Sequence, residues 1–102
     1  MRNTVIAAAV ALALVPAAAS ANEALATKSG CLACHAVDKK VVGPSYKEVA
    51  AKYRNDKDAE AKLAAKVKAG GTGVWGQVPM PPNSQVSDAD IKTLVKWVLS
   101  LK

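Results

Sequence analysis

Cys31-Leu32-Ala33-Cys34-His35 is the stretch on which the reading of this chain turns. Two thiols spaced for one turn, with an imidazole immediately after, gather three reactive donors on a single short segment. Each thiol can add to one vinyl group of a porphyrin and leave a thioether, and His35 then lies under the iron. The segment thereby fixes the position, the orientation and one axial ligand of a single haem c, covalently held through Cys31 and Cys34. Competing chemistries need groups that the chain lacks. A closed tetrahedral zinc site wants a further cysteine or histidine, and the sequence holds 2 Cys and 1 His in all. A thioredoxin-like pair belongs in a βαβ setting, and a plain disulfide leaves His35 without a role.

Outward from the motif, the sequence reads as short helices joined by loops, with no sustained alternation of apolar and polar residues to suggest strands and no internal repeat. The expected fold is all-α, four to five short helices around one covalently bound haem. Upstream, Asn22 or a neighbour starts a first helix through Ala24 and Leu25 that runs into Gly30. Downstream, Val41-Val42-Gly43-Pro44 is extended or turning, because the residue before a proline is pushed out of the helical region. Ser45 and Glu48 have capping-box spacing, which opens a second helix with Tyr46, Val49, Ala50 and Tyr53 on its inner face. Asp58 is placed to cap a third helix carrying Leu63 and Val67, and Gly70-Gly71 ends it. Ser87 with Asp90 opens the last helix, whose Ile91, Leu94, Val95, Val98 and Leu99 form one apolar stripe. Between them, residues 70–85 are too rich in glycine and proline for a regular element, yet contain Val74, Trp75, Val78 and Met80. Those apolar residues need something to cover, and a haem is a large flat apolar object.

The N-terminal end carries an export signal. Arg2 precedes an uncharged apolar run from Val5 to Val15, then Pro16, then the small residues Ala19-Ser20-Ala21. That run falls short of the roughly 18–20 residues needed to span a bilayer, so the layout predicts a signal peptide over 1–21, cleaved to leave a domain over 22–102, and no membrane span. Cleavage removes only one charged residue, Arg2, from a chain of formal charge +6. The remaining domain is moderately basic and too small for a large hydrophobic core, and such domains usually need a staple. Its lysines are dispersed, only Lys39 and Lys40 being adjacent, without an arginine-rich arm or an RNA-stacking motif, which argues against nucleic acid. Lysines such as Lys28, Lys39 and Lys47 instead suit brief, salt-sensitive contact with acidic protein partners.

Met80, the one methionine downstream of the signal peptide, is the candidate second axial ligand. A lone methionine more often fills a gap in a core. Here Pro79, Pro81 and Pro82 stiffen the backbone around it, which makes sense if the thioether must be held at a fixed point on a cofactor. Iron held by His35 and Met80 keeps both axial positions filled and offers none to a substrate. Electron transfer is the function that this chemistry suits, and with no second histidine to act as a distal acid or base the chain reads as a carrier, not an enzyme.

Cys31 to His35, Val42-Gly43-Pro44 and the run from Gly73 to Asn83, GVWGQVPMPPN, closely resemble bacterial class I cytochromes c of the c-551/c-552 (cytochrome c8) type. The resemblance covers essentially all of residues 22–102. It implies a monomeric periplasmic carrier that takes electrons from a donor such as a membrane cytochrome complex. The implied acceptor is a nitrite reductase, an oxidase or a peroxidase. By matching position, it also implies that the Pro44 carbonyl accepts from the second ring nitrogen of His35, that Trp75 donates its indole N–H to a haem propionate, and that Asn83 hydrogen-bonds near the Met80 sulfur. Lys66 falls where the family often has a basic propionate partner, although a helical lysine is usually just solvated. Trp97 is assigned to packing, and a residue near Gln85 to a one-residue insertion in the loop before the last helix.

Overall fold

The computed structural model describes residues 17–102, so the signal-peptide reading lies outside the described residues over 1–16. Four helices follow in order among the described residues: α1, Ala17–Lys28; α2, Tyr46–Tyr53; α3, Ala59–Ala69; and α4, Asp88–Ser100. A short 3₁₀ turn, Cys31–Ala33, stands between α1 and α2. α1 begins at Ala17, ahead of the expected start at Asn22, because the alanine-rich residues 17–21 are strong helix formers with nothing among them to break the helix.

The serine caps form as the spacing requires. Ser45 Oγ accepts the Glu48 N–H at 3.1 Å and Ser87 Oγ accepts the Asp90 N–H at 3.2 Å. α3 differs. Asp58 occupies the cap position without a side-chain cap, and the carboxylate that works there is Asp56. Its Oδ1 accepts the Asp58 N–H at 2.8 Å and its Oδ2 pairs with Lys62 at 2.8 Å. Gly70, at φ 74 and ψ -173, ends α3 at a positive φ that a glycine takes without steric cost.

α4 is the central element. Its buried stripe of Ile91, Leu94, Val95, Trp97 and Val98 packs against Ala26 of α1 and against Tyr46 and Val49 of α2, with Leu63 and Val67 of α3 at the edge of the cluster. Burying such a side chain is worth about 1.5–3 kcal/mol, so this stripe supplies much of what holds the helices together. Trp97 is packing, as expected, and its ring meets that of Tyr46 edge-on at 5.6 Å and 76°. On the other flank of α2 and α4 the core stops and a cavity begins.

Candidate metal centre

One wall of the cavity is built by the turn at Cys31. Gly30 enters it at φ 80, and the Cys31 carbonyl then accepts the N–H of Cys34 at 3.2 Å and of His35 at 3.0 Å. The Cys34 carbonyl in turn accepts from Val42 at 3.1 Å and Gly43 at 2.7 Å, which folds the Gly43-Pro44 segment back onto His35. There His35 Nδ1 lies 2.7 Å from the Pro44 carbonyl oxygen. A carbonyl only accepts, so the proton is on Nδ1 and the lone pair of the neutral ring is on Nε2, the nitrogen left for a metal. Tyr46 stacks on the same imidazole, centroids 5.0 Å apart and planes 22° apart. Burial pushes both the Tyr46 phenol and the Cys31 thiol above their ordinary values, the nearby phenol partly offsetting the shift at Cys31.

The facing wall is the loop after α3. Gly71 and Met80 exchange backbone hydrogen bonds, Met80 N–H to Gly71 oxygen at 2.8 Å and Gly71 N–H to Met80 oxygen at 3.0 Å, which pins the backbone of Met80 to the end of the helix. Gly70 permits this approach, since a Cβ there would stand 2.4 Å from the Met80 carbonyl oxygen and 2.8 Å from Pro82 N. Asn83 fastens the far end of the loop. Its backbone N–H and its Nδ2 both reach the Val67 carbonyl, at 3.1 and 2.9 Å, and Nδ2 also reaches the Pro81 carbonyl at 3.2 Å. The side-chain amide is therefore directed to two backbone carbonyls, one of them that of Pro81 beside Met80, since amide oxygens are far stronger acceptors than a thioether.

Trp75 lies on the same loop, 41% exposed, with Lys52 Nζ 5.5 Å from the ring centroid. Lys66 is half-buried, with its stem laid against Gly71: a Cβ on that glycine would stand 2.9 Å from Lys66 Cε. It is not the freely solvated helical lysine that its position alone suggests. Both residues line the cavity, as do Cys31, Cys34, His35, Pro44, Met80 and Asn83, so the structure brings every candidate site residue to one place.

The cavity holds about 240 Å³ and opens to the surface. Its lining is largely apolar, with Cys31, Cys34 and His35 on one wall and Met80 on the other. That donor set suits a haem, a flat apolar ring with soft and imidazole ligands for its iron, better than it suits a hydrated ion.

The Cytochrome c family model matches residues 19–102. This chain belongs to the cytochrome c family. Cytochrome c-551 of Allochromatium vinosum is 60% identical over 87 residues, covering 85% of this chain and 93% of that protein. Cytochrome c-551 of Pseudomonas aeruginosa is 58% identical, covering 78% and 76%. Among solved structures, that of Nitrosomonas europaea cytochrome c552 superposes with a TM-score of 0.77 at 57% identity, covering 78% of this chain and 99% of that one. The protein is thus a class I c-type cytochrome of the c8 type, an electron carrier rather than an enzyme, with one covalently attached haem c. Its two cysteines are those of the attachment motif, and it works with redox partners.

Two residues of this cytochrome's site are absent from the motif-based reading. Tyr46 reads in the sequence as an inner-face helix residue, and nothing in a 3.6-residue period says that its ring meets an imidazole. Gly43 reads as part of a turn, yet its φ is not positive and its backbone does not require a glycine; what a side chain there would strike is His35. The signal that could have found both was proximity in the chain: Gly43 precedes Pro44, the residue already assigned to His35, and Tyr46 follows it by two positions.

Proposed function

We propose that this cytochrome is a periplasmic one-electron carrier, processed after Ala21, whose haem iron is held by His35 and Met80. It works as a monomer between a membrane cytochrome complex as donor and a nitrite reductase, oxidase or peroxidase as acceptor. The observation that carries the reading is that His35 and Met80 face one cavity, with Nδ1 of His35 already committed to Pro44 and the backbone of Met80 fixed on both sides. When bound, the haem supplies an iron that takes up and releases one electron. The chain's own part is to keep that iron's surroundings unchanged between the two states. Pro44 holds the imidazole tautomer, the Gly71 pair and Asn83 hold the loop of Met80, and the apolar lining keeps water from the ring. Trp75 and Lys66, which both line the cavity, would meet the haem propionates. Among the described residues no helix is long and apolar enough to cross a membrane.

The test is an absorption spectrum of the ferric holoprotein. A weak far-red sulfur-to-iron band in the parent, lost in Met80→Ala, is the expected result. Its absence from the parent would mean a different or vacant sixth position.

A further inference from the structure

We infer that Gly43 and Tyr46 form a slot that sets the rotational orientation of the His35 imidazole about its bond to iron, a positioning role separate from that of Pro44. It rests on the reading of His35 as an axial ligand. The hydrogen bond from Nδ1 to Pro44, 2.7 Å long, directs one edge of the ring. One such bond leaves the ring free to swivel about the N–H···O line, because acceptance at a carbonyl oxygen is angularly broad. Something else must choose the plane.

Two contacts do so. The Tyr46 ring lies against the imidazole at 5.0 Å and 22°, close to parallel. Tyr46 is itself locked: it is 7% exposed, its N–H is bonded to the Ala36 carbonyl at 2.9 Å, and Trp97 packs edge-on against it. At Gly43, a Cβ would stand 2.5 Å from Cε1, 2.9 Å from Nδ1 and 3.1 Å from Nε2 of His35, well inside the roughly 3.5–4.0 Å of a favourable contact. The glycine backbone is tied to the Cys34 carbonyl at 2.7 Å, so it has little freedom to retreat from an added methyl group. The backbone at Gly43 needs no left-handed freedom, and the reason for having no side chain there is the space that the imidazole takes. The two walls hang on different anchors, Cys34 for one and Ala36 and Trp97 for the other, so each can be removed separately.

With the orientation of the other axial ligand unchanged, the plane of an axial imidazole decides how unpaired spin in a ferric haem is distributed over the porphyrin, and the order of the shifted haem methyl resonances in a proton NMR spectrum reads it. The experiment compares ferric holoprotein of the parent, Gly43→Ala, Tyr46→Leu and Tyr46→Phe. Expected is a changed methyl order in Gly43→Ala and in Tyr46→Leu, with the resonances of the coordinated imidazole and the far-red band still present. Tyr46→Phe keeps the ring and loses only the hydroxyl, and should keep the parent's order. A merely structural role lowers thermal stability in these variants without reordering the methyls. An unchanged order in Tyr46→Leu overturns the inference. If that variant fails to hold haem, Gly43→Ala decides by the same criterion. A parent spectrum with no coordinated imidazole resonances overturns the ligand reading instead, which keeps the two failures apart.

Discussion

Asn83 closes two structures at once. The Val67 carbonyl sits in the last turn of α3, where the helix's own N–H groups have run out, and the N–H that would have reached it, that of Gly71, donates to Met80 instead. Asn83 takes its place with both its backbone N–H and Nδ2, and steadies Pro81 with the same amide. Asn83→Ala keeps the backbone bond and loses the side-chain bonds. At about 1 kcal/mol for a typical net hydrogen bond, the loop should lose about 1–2 kcal/mol of its hold on Met80. Under the proposed ligation the far-red band should then fade at a lower temperature than in the parent, ahead of helix melting followed by far-ultraviolet circular dichroism. Band loss and helix melting that stay in step would mean that Asn83 supports the fold as a whole and has no special hold on the ligand loop.

At the scale of the elements, the start of α3 depends on a carboxylate outside it. Asp56 accepts the Asp58 N–H and pairs with Lys62, and the Lys62 ammonium and the Asp58 amide together hold its carboxyl below the ordinary carboxylate range. A depressed folded-state value contributes stability that is present above the unfolded value and is lost as pH falls through the folded one. Asp56→Ala should therefore lower the midpoint of thermal unfolding at neutral pH more than Asp58→Ala does. That difference should shrink in acid, once the parent's own Asp56 is protonated. Equal midpoints for the two variants at neutral pH would return the cap to Asp58. The contrast shows what was legible. Ser45 and Ser87 were readable because a serine cap and its target lie three residues apart in an ideal geometry. Asp56 was not, because it reaches the helix through a turn whose shape depends on Lys62 one helical turn inside. The start of α1 was missed for a different reason: helix propensity in the alanine run continues on the N-terminal side of Asn22. At the site, that His35, Pro44 and Met80 belong around one cavity was legible from motif and resemblance. The partner of Asn83 was not, since a free carbonyl at Val67 exists only once α3 has ended.

For the molecule as a whole, the cavity interrupts what would otherwise be a single small core, and the apolar residues at its mouth remain in solvent. Val42, Val74, Trp75 and Val78 line it and are 50, 46, 41 and 66% exposed. Lys40 lines it too and is exposed, next to Val41 and Val42 in the chain, so positive charge borders an apolar rim. The chain also carries a formal charge of +6. Long-range attraction from the net charge and local attraction at the rim both favour an anionic partner, and they separate by placement. Lys40→Glu and Lys92→Glu change the net charge equally, but Lys92 lies on the solvent side of α4. With ferricyanide as an anionic one-electron oxidant, the parent's rate should fall severalfold as the Debye length shrinks from about 30 Å at 0.01 M salt to about 10 Å at 0.1 M. Lys40→Glu should slow the low-salt reaction more than Lys92→Glu does, and the two should converge at high salt. A cationic oxidant should show the opposite salt trend. Equal slowing by the two substitutions would mean that the rim gathers no charge of its own and that only the net charge steers. A rate independent of salt would remove the lysines from partner recognition altogether and leave the apolar rim to carry it.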